Sequence, residues 1–360
     1  MKKFTSCILV TGLAIATLCA QSTIVIDRAT KEPISSAVVF SANGSIKGTT
    51  DINGICREIE HSDYPVTIKC LGYKQKVCVG TSDTVFMEQD FHELGEVVVT
   101  PGHRPIMNVL CYIREYTSGG TSTDTVQYFA EHMAMFYIPQ GKVKGFKASN
   151  SPQVLRSKLY QRNIRNGRDS VFKPDYRPDD ISWLDLVSYP EKNVQQTDRI
   201  SQGANIDTIM GKHYIKTIAR KTDKLYFEST DVLADKKDHR MSPLIFKMLG
   251  MTIDFNAMNI SRAYRVNKSG LYKPEDMAMS TLSVEIVGKG KWIKKAFNSK
   301  DPVAMNGLFE IYPIKIDYLT IDEAKNMLYE NPPKVKFQRS ELASVLPSGI
   351  QEIMRRADDE

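Results

Sequence analysis

From residue 23 to residue 100 the chain sets short apolar runs between turn residues. Ile24 and Ile26 alternate with more polar neighbours, Ala37-Val38-Val39-Phe40 is a short apolar run, and Val66, Ile68 and Cys70 share one parity. Residues 74–79 and Thr84-Val85-Phe86-Met87 continue the series. Between these runs stand the polar stretch 27–33, then Ala42-Asn43-Gly44, Asp51-Ile52-Asn53-Gly54 and Gly72. Asn and Gly tolerate positive φ and mark hairpins. Short strands with turns about every ten residues predict a β-sandwich. The expected fold is mainly β: an N-terminal seven-stranded Greek-key-like sandwich over 21–100, then an antiparallel α+β domain. Asp27, Pro33, Gly54, Gly72 and Tyr73 are the structural positions of the sandwich, with Tyr73 a large ring expected to pack.

Pro101-Gly102-His103-Arg104-Pro105 has the composition of a linker. Ile106, Val109, Leu110 and Ile113 fall at helical spacing, so residues 101–125 are expected to be a linker with a short amphipathic helix. Residues 126–360 form the second domain. Strands are expected over 126–138, 142–148, 154–160, 213–219, 224–229, 252–266, 280–287 and 308–319. Helices are expected over 243–251, 321–329 and 349–356, with a charged loop over 174–180.

The first twenty residues read as a signal peptide. Met1-Lys2-Lys3 is basic, residues 7–18 are apolar, and Thr17-Leu18-Cys19-Ala20 offers a cleavage site before Gln21. An apolar core of about a dozen residues falls short of the roughly 20 a spanning helix needs. Leu18 before Cys19 disfavours lipidation. The mature chain is thus expected to be exported, periplasmic or peripheral at the outer membrane, with no transmembrane segment. The chain holds 48 basic and 42 acidic residues. So small a surplus, together with export, argues against a nucleic-acid partner.

Cys56, Cys70, Cys78 and Cys111 remain after the leader. One disulfide and buried thiols are both open; a domain with its own core needs no staple, which favours thiols. Asp51-x-Asn53-Gly54 resembles the start of a calcium loop, but position 62 is Ser62 where a terminal acid is needed, so a plain turn is expected. His92-Glu93 lacks a second zinc ligand at the required spacing. Gly288-Lys289-Gly290-Lys291 lacks the phosphate-loop spacing, and no Gly-x-Ser-x-Gly elbow occurs. A Ser-His-acid set assembles from distant positions and stays open. His132 beside Met133 and Met135 reads as a satisfied strand histidine. Asp322-Glu323 opens a helix, where acids suit the dipole. Arg162, Arg165 and Arg168 around Asn166-Gly167 are either an anion site or a solvated hairpin tip. No catalytic, cofactor or metal residue is assigned.

Asp27, Thr30, Pro33-Ile34, Ala37-Val38-Val39, Gly48-Thr49-Thr50-Asp51 with Gly54, Leu71-Gly72-Tyr73-Lys74, and Leu94-x-Glu96-Val97-Val98-Val99-Thr100 occur in this order. By these residues, 22–101 resembles the carboxypeptidase-regulatory-like domain, a transthyretin-like β-sandwich common at the N-termini of bacterial outer-membrane proteins. The resemblance implies a non-catalytic accessory fold. It also makes Glu96, Val97, Val98, Val99 and Thr100 a possible interaction strand of the TonB-box kind, although a last sandwich strand or a linker explains them as well. A receptor barrel does not fit in the remaining chain. The expected function is a non-enzymatic envelope protein that binds or scaffolds an envelope protein or outer-membrane component. The alternatives are an accessory of a TonB-linked uptake system and a periplasmic hydrolase with its site in the second domain.

Overall fold

Seven short strands build the sandwich: β1 (Gln21–Asp27), β2 (Val38–Phe40), β3 (Ile46–Thr49), β4 (Ile55–Ile59), β5 (Val66–Lys69), β6 (Lys76–Cys78) and β7 (Thr84–Met87). In this computed structural model they form a three-stranded sheet, β4-β1-β7, facing a four-stranded one, β3-β2-β5-β6. The structure describes residues 21–90, 98–99, 104–121, 123–147, 151–178, 181–190, 196–197, 206–210, 216–232, 251–290, 293, 297, 299 and 301–359. The leader and the 243–250 helix expectation lie outside them.

Val25, Val39, Val66, Ile68, Tyr73, Val85 and Met87 pack between the two sheets. In β1 the inward parity is that of Thr23, Val25 and Asp27, not of Ile24 and Ile26 as their apolarity suggested. The polar pair sits inside because it is bonded there. Thr23 donates to the Ser82 carbonyl at 3.0 Å, and Asp27 accepts four donors described below. The turns fall where Asn and Gly place them. Gly44 has φ 89° and Gly54 φ 72°. Asp51 accepts from the Asn53 and Ile55 amides, 2.9 Å each, so this loop is a side-chain-capped turn. No disulfide joins Cys56, Cys70, Cys78 or Cys111.

The second unit is a meander of long strands. These are β8 (Val98–Val99), β9 (Ile106–Gly120), β10 (Asp124–Pro139), β11 (Gln153–Arg165), β12 (Arg168–Phe172), β13 (Gln196–Thr197), β14 (Ile206–Met210), β15 (Lys216–Lys221), β16 (Leu225–Asp231), β17 (Met251–Arg265), β18 (Leu271–Tyr272), β19 (Met277–Gly290) and β20 (Val303–Leu319). The large sheet runs β12-β11-β10-β9-β20-β19-β17-β16-β15-β14, and β13 pairs with β18 apart from it. Helices α1 (Ile321–Lys325) and α2 (Ser348–Asp359) match the expected helices at 321–329 and 349–356. Residues 142–147, expected as strand, are turns around Gly145 at φ 85°.

The largest correction concerns 101–125. Residues 106–120 are not a helix after a linker but the central strand β9, paired with β10 on one side and β20 on the other. Ile106, Val109, Leu110 and Ile113 mimic helical spacing because β9 is buried on both faces, so both parities are apolar. Met107, Val109, Cys111 and Ile113 join one core, under Ile181, Leu184, Val187, Ile293 and Phe297. Tyr112 meets Phe227, Tyr312, Leu71 and Phe337 in another, and Tyr116 meets Phe40, Ile46, Phe129 and Ile350 in a third. These last two cores mix sandwich, sheet and C-terminal residues, so the sandwich is a layer on the sheet rather than a bead on a linker.

Gly72 shows how tight this layer is. It has φ 81°, and a Cβ there would stand 2.7 Å from the Phe227 ring and 2.9 Å from the Arg220 guanidinium. Gly72→Ala is therefore expected to lower stability by about 1–3 kcal/mol through backbone strain and overpacking, measured by chemical denaturation.

Candidate functional site

The site with the most chemistry lies where sandwich, sheet and C-terminal tail meet. Arg114 stands on β9 with Glu131 directly opposite on β10 and Glu310 directly opposite on β20. Opposed charges at facing strand positions attract. The sandwich adds Lys69 from the end of β5. Its ammonium is 2.8 Å from Glu310 and donates to the Tyr116 hydroxyl at 3.2 Å, and Tyr116 donates to Glu310 at 3.0 Å. Arg114 reaches Glu310 at 3.6 Å and donates to the Tyr112 hydroxyl at 2.9 Å and the Ser344 carbonyl of the tail at 2.6 Å. Tyr112 donates to Glu131, which also takes a two-pronged contact from Arg339 of the tail, 2.8 Å on each prong. Lys69, Arg114, Glu131 and Glu310 are all at most 5% exposed. Ions so buried survive only when paired and hydrogen-bonded. Burial pushes the Glu310 carboxyl up, but Lys69 and Arg114 with their hydrogen-bonded partners outweigh it and hold it below the ordinary value.

A second rivet lies nearby. Asp27 accepts from the Ala29 amide (2.8 Å), the Thr30 amide (3.1 Å), Gln89 (2.5 Å) and the Tyr73 hydroxyl (2.9 Å). Arg220 of β15 is 3.6 Å from Asp27, donates to Tyr73, and stacks 4.4 Å from the ring centres of both Tyr73 and Phe227. Burial pushes the Asp27 carboxyl up, and these hydrogen bonds bring it below the ordinary value. Asp27, Gly72 and Tyr73 thus come together at the joint. Pro33 borders the same joint, lining a cavity with Tyr73 and Arg220, and it also meets Gly54, where a Gly54 Cβ would stand 3.1 Å from the Pro33 Cβ and 2.6 Å from the Val25 carbonyl.

Of the Val-rich segment, Glu96, Val97 and Thr100 lie outside the described residues. Val98 and Val99 pair in parallel with Lys315 and Ile316 of β20, so this strand belongs to the large sheet and not to the sandwich. Two cavities of about 50 Å³ each line the joint, one beside Lys69, Glu310, Thr281 and Ser344, the other beside Arg220, Phe227 and Ser229. That is room for a water or two. Burial pushes the Cys70 thiol up to about 12, which leaves it unreactive near neutral pH.

On the opposite face of the sheet Ser157, His132 and Glu115 form a row. His132 faces Ser157 across β10 and β11, with Nδ1 2.8 Å from the Ser157 hydroxyl and Nε2 3.4 Å from Glu115. Glu115 also accepts from the Ser182 hydroxyl at 2.9 Å and the Trp183 amide at 2.7 Å. An acceptor with those partners places the imidazole proton on Nε2 and leaves Nδ1 to accept from Ser157. His132 is thus satisfied in the core, as its strand context suggested.

Sequence reading missed Lys69, Arg114, Glu131, Arg220 and Glu310 as a group. Part of the signal was there: Lys69 and Glu310 each have apolar neighbours on both sides, as in Leu308-Phe309-Glu310-Ile311-Tyr312. Such a charge is never fully buried unless paired; its partner is supplied by distant sequence.

No family model matches the chain, and no curated protein matches it. The resemblance of 22–101 to carboxypeptidase-regulatory-like domains therefore rests on its motif residues. A solved structure described as "lipid-protein interactions in lipovitellin" is similar at 11% identity and a TM-score of 0.29, over 60% of this chain and 26% of that chain. A likeness at that TM-score carries no argument.

Lys69→Met and Glu310→Met are each expected to destabilise by about 3–5 kcal/mol, because each removes one half of a buried ion pair, whereas the double variant Lys69→Met/Glu310→Met should cost clearly less than the sum. Equilibrium unfolding of the three variants measures this. Because Asp27 and Glu310 are both held below their ordinary values, their contribution is complete above about pH 4.5 and is lost as pH falls through the folded values. The melting temperature should drop across that acid range, and less steeply in the double variant.

Proposed function

We propose that this is a non-enzymatic, exported cell-envelope protein with a binding or scaffolding role at the outer membrane. One observation carries the reading. The buried charges are spent on one another across the joint of sandwich, sheet and tail, and the cavities beside them are about 50 Å³ each. Small-molecule sites usually offer about 300–1,000 Å³. The charges therefore act as a clamp, and the protein meets its partner, an envelope protein or outer-membrane component, on its outer surfaces. The motif residues from Asp27 to Tyr73 support a carboxypeptidase-regulatory-like sandwich as the accessory part. Among the described residues no helix is long and apolar enough to cross a membrane.

The TonB-linked alternative is weakened by the pairing of Val98 and Val99 with β20, since that pairing must break before the strand joins another protein. The hydrolase alternative has one observation in its favour, the hydrogen-bonded row from the exposed Ser157 through His132 to Glu115.

Fractionation of cells making the native chain, with in-cell crosslinking, is expected to find a mature protein starting at Gln21 in the periplasmic or outer-membrane fraction, joined to an envelope component. A cytoplasmic protein that keeps its leader would overturn the reading. Labelling with a fluorophosphonate should fail. Stoichiometric labelling that is lost in Ser157→Ala and slowed in His132→Gln would instead establish the hydrolase.

A further inference from the structure

We propose that the outer edge of β11, from Arg156 to Leu159, accepts an added strand from a partner protein, an extended segment whose acidic side chains at two alternate positions face Arg156 and Lys158. β11 is 13 residues long, but its outer neighbour β12 pairs only with residues 161–165, and the ladder stops at Phe172 opposite Gln161. Pro174 follows with no N–H to continue it, and the chain bends away at 175–176. Among the described residues no other strand runs along β11 past that point. Val154, Arg156, Ser157 and Lys158 are exposed there.

Alternation along the strand decides which backbone groups face outward. Asn166 and Gly167, at φ 50° and 74°, make a two-residue hairpin turn, so the flanking pair Arg165 and Arg168 is hydrogen-bonded. Asn163 and Gln161 bond to β12 in their turn. Ser157 and Leu159 have the same parity, so their N–H and C=O groups point outward and offer two rungs to a new strand. Beyond them Leu155 is the extra residue of a bulge, since Arg156 pairs with Met133 and Val154 with Ala134. A bulge twists an edge and ends regular pairing.

Charge selects the occupant. Side chains directly opposite each other share a face and interact. A second copy pairing antiparallel about Ser157 would set Arg156 against Lys158 twice, so the edge is guarded against itself, whereas acids opposite both residues are attracted. Residues 140–160 carry five basic residues and no acid. The acids of the surrounding elements are taken up elsewhere. Glu131, opposite Lys158, is buried and held by Arg339 and Tyr112. Asp185, whose carbonyl meets Ser151, is held by Arg177. On α2, Glu352 and Asp359 pair with Arg355 and Asp358 with Lys173, while Asp169 of β12 is held by Arg162 and Arg356. Two acids remain near the ends of the open stretch: Asp175 beyond Pro174, and Glu330 two residues past Leu328, which meets Gln153. Among the described residues neither Arg156 nor Lys158 has an ion pair, and the Lys158 ammonium lies 4.5 Å from the Phe337 ring centre. The inference deepens the envelope reading by naming the surface on which the partner is met, and rests on it for where that partner resides.

The test is fluorescence anisotropy of a labelled heptapeptide, Thr-Val-Glu-Val-Glu-Val-Thr, titrated with the full mature chain, against its counterpart with lysines in place of the glutamates. The acidic peptide is expected to bind about tenfold or more tightly than the lysine peptide, and less tightly as salt is added. Methylating the backbone nitrogen of the valine between the glutamates removes the donor of the rung with Ser157 and should weaken binding about tenfold. Arg156→Glu/Lys158→Glu should reverse the preference between the two peptides. Arg156→Glu alone, expected to narrow the preference, keeps the test open if the double variant does not fold. No binding of the acidic peptide, equal binding of the two peptides, unchanged binding of the methylated one, or an unchanged preference in the variants would each overturn the proposal. None of these results moves the protein's cellular fraction, so failure here and failure of the envelope reading remain distinct.

Discussion

The ion pair between Lys69 and Glu310 is the constraint on which the rest of the molecule depends. It joins the last residue of a sandwich strand to the middle of the strand that shares the centre of the large sheet with β9, 2.8 Å apart and out of water. Neither charge tolerates that position without the other. Arg114 and Tyr116 complete the shell, and Arg114 extends it to the tail at Ser344. Segments far apart in sequence must thus all be in place before any one of these charges is satisfied. A cluster of this kind adds little net stability compared with an apolar core, but it specifies one docking geometry.

Backbone chemistry supports the same geometry. β3 lies at the edge of its sheet, and an uncovered edge invites wrong pairing. Here the large sheet supplies side chains to it. The Ile46 amide donates to Ser118 at 3.0 Å, the Ile46 carbonyl accepts from Asn306 at 3.0 Å, and the Thr49 amide donates to Glu285 at 2.7 Å. Ser36 and Ser229 meet at 2.7 Å further along. The sheet covers the sandwich edge, and the sandwich, with the tail and α2, covers one face of the sheet. That cover on one face, with Ile181, Leu184, Val187, Ile293 and Phe297 on the other, is why β9 and β10 are buried over nearly their whole length.

What could be read from the sequence follows from the range of the forces. The turns at Gly44 and Gly54, the capped loop at Asp51 and the helices at 321 and 349 depend on neighbours within a few residues, and they fall where local chemistry puts them. Tyr73 is buried, 8% exposed, as a large ring after a hinge glycine suggests. Burial on both faces defeated the reading of β9, because a two-sided apolar strand has no period of two. The facing of β1 was misjudged because Asp27 is buried by partners from Tyr73, Gln89 and Arg220, none of which is local. The charged joint was hidden for the same reason: Lys69, Arg114 and Glu310 are each ordinary charges until the fold brings them together.

The central claim is that sandwich and sheet are one cooperative unit clamped by buried charge. Native-state hydrogen exchange, resolved to peptides, tests it most directly. The account predicts that the amides of β2, β3 and β5 open with the same free energy as those of β9 and β20, so that the sandwich is released only when the sheet unfolds. Exchange of the sandwich at a clearly lower free energy, with β9 and β20 still protected, would contradict it.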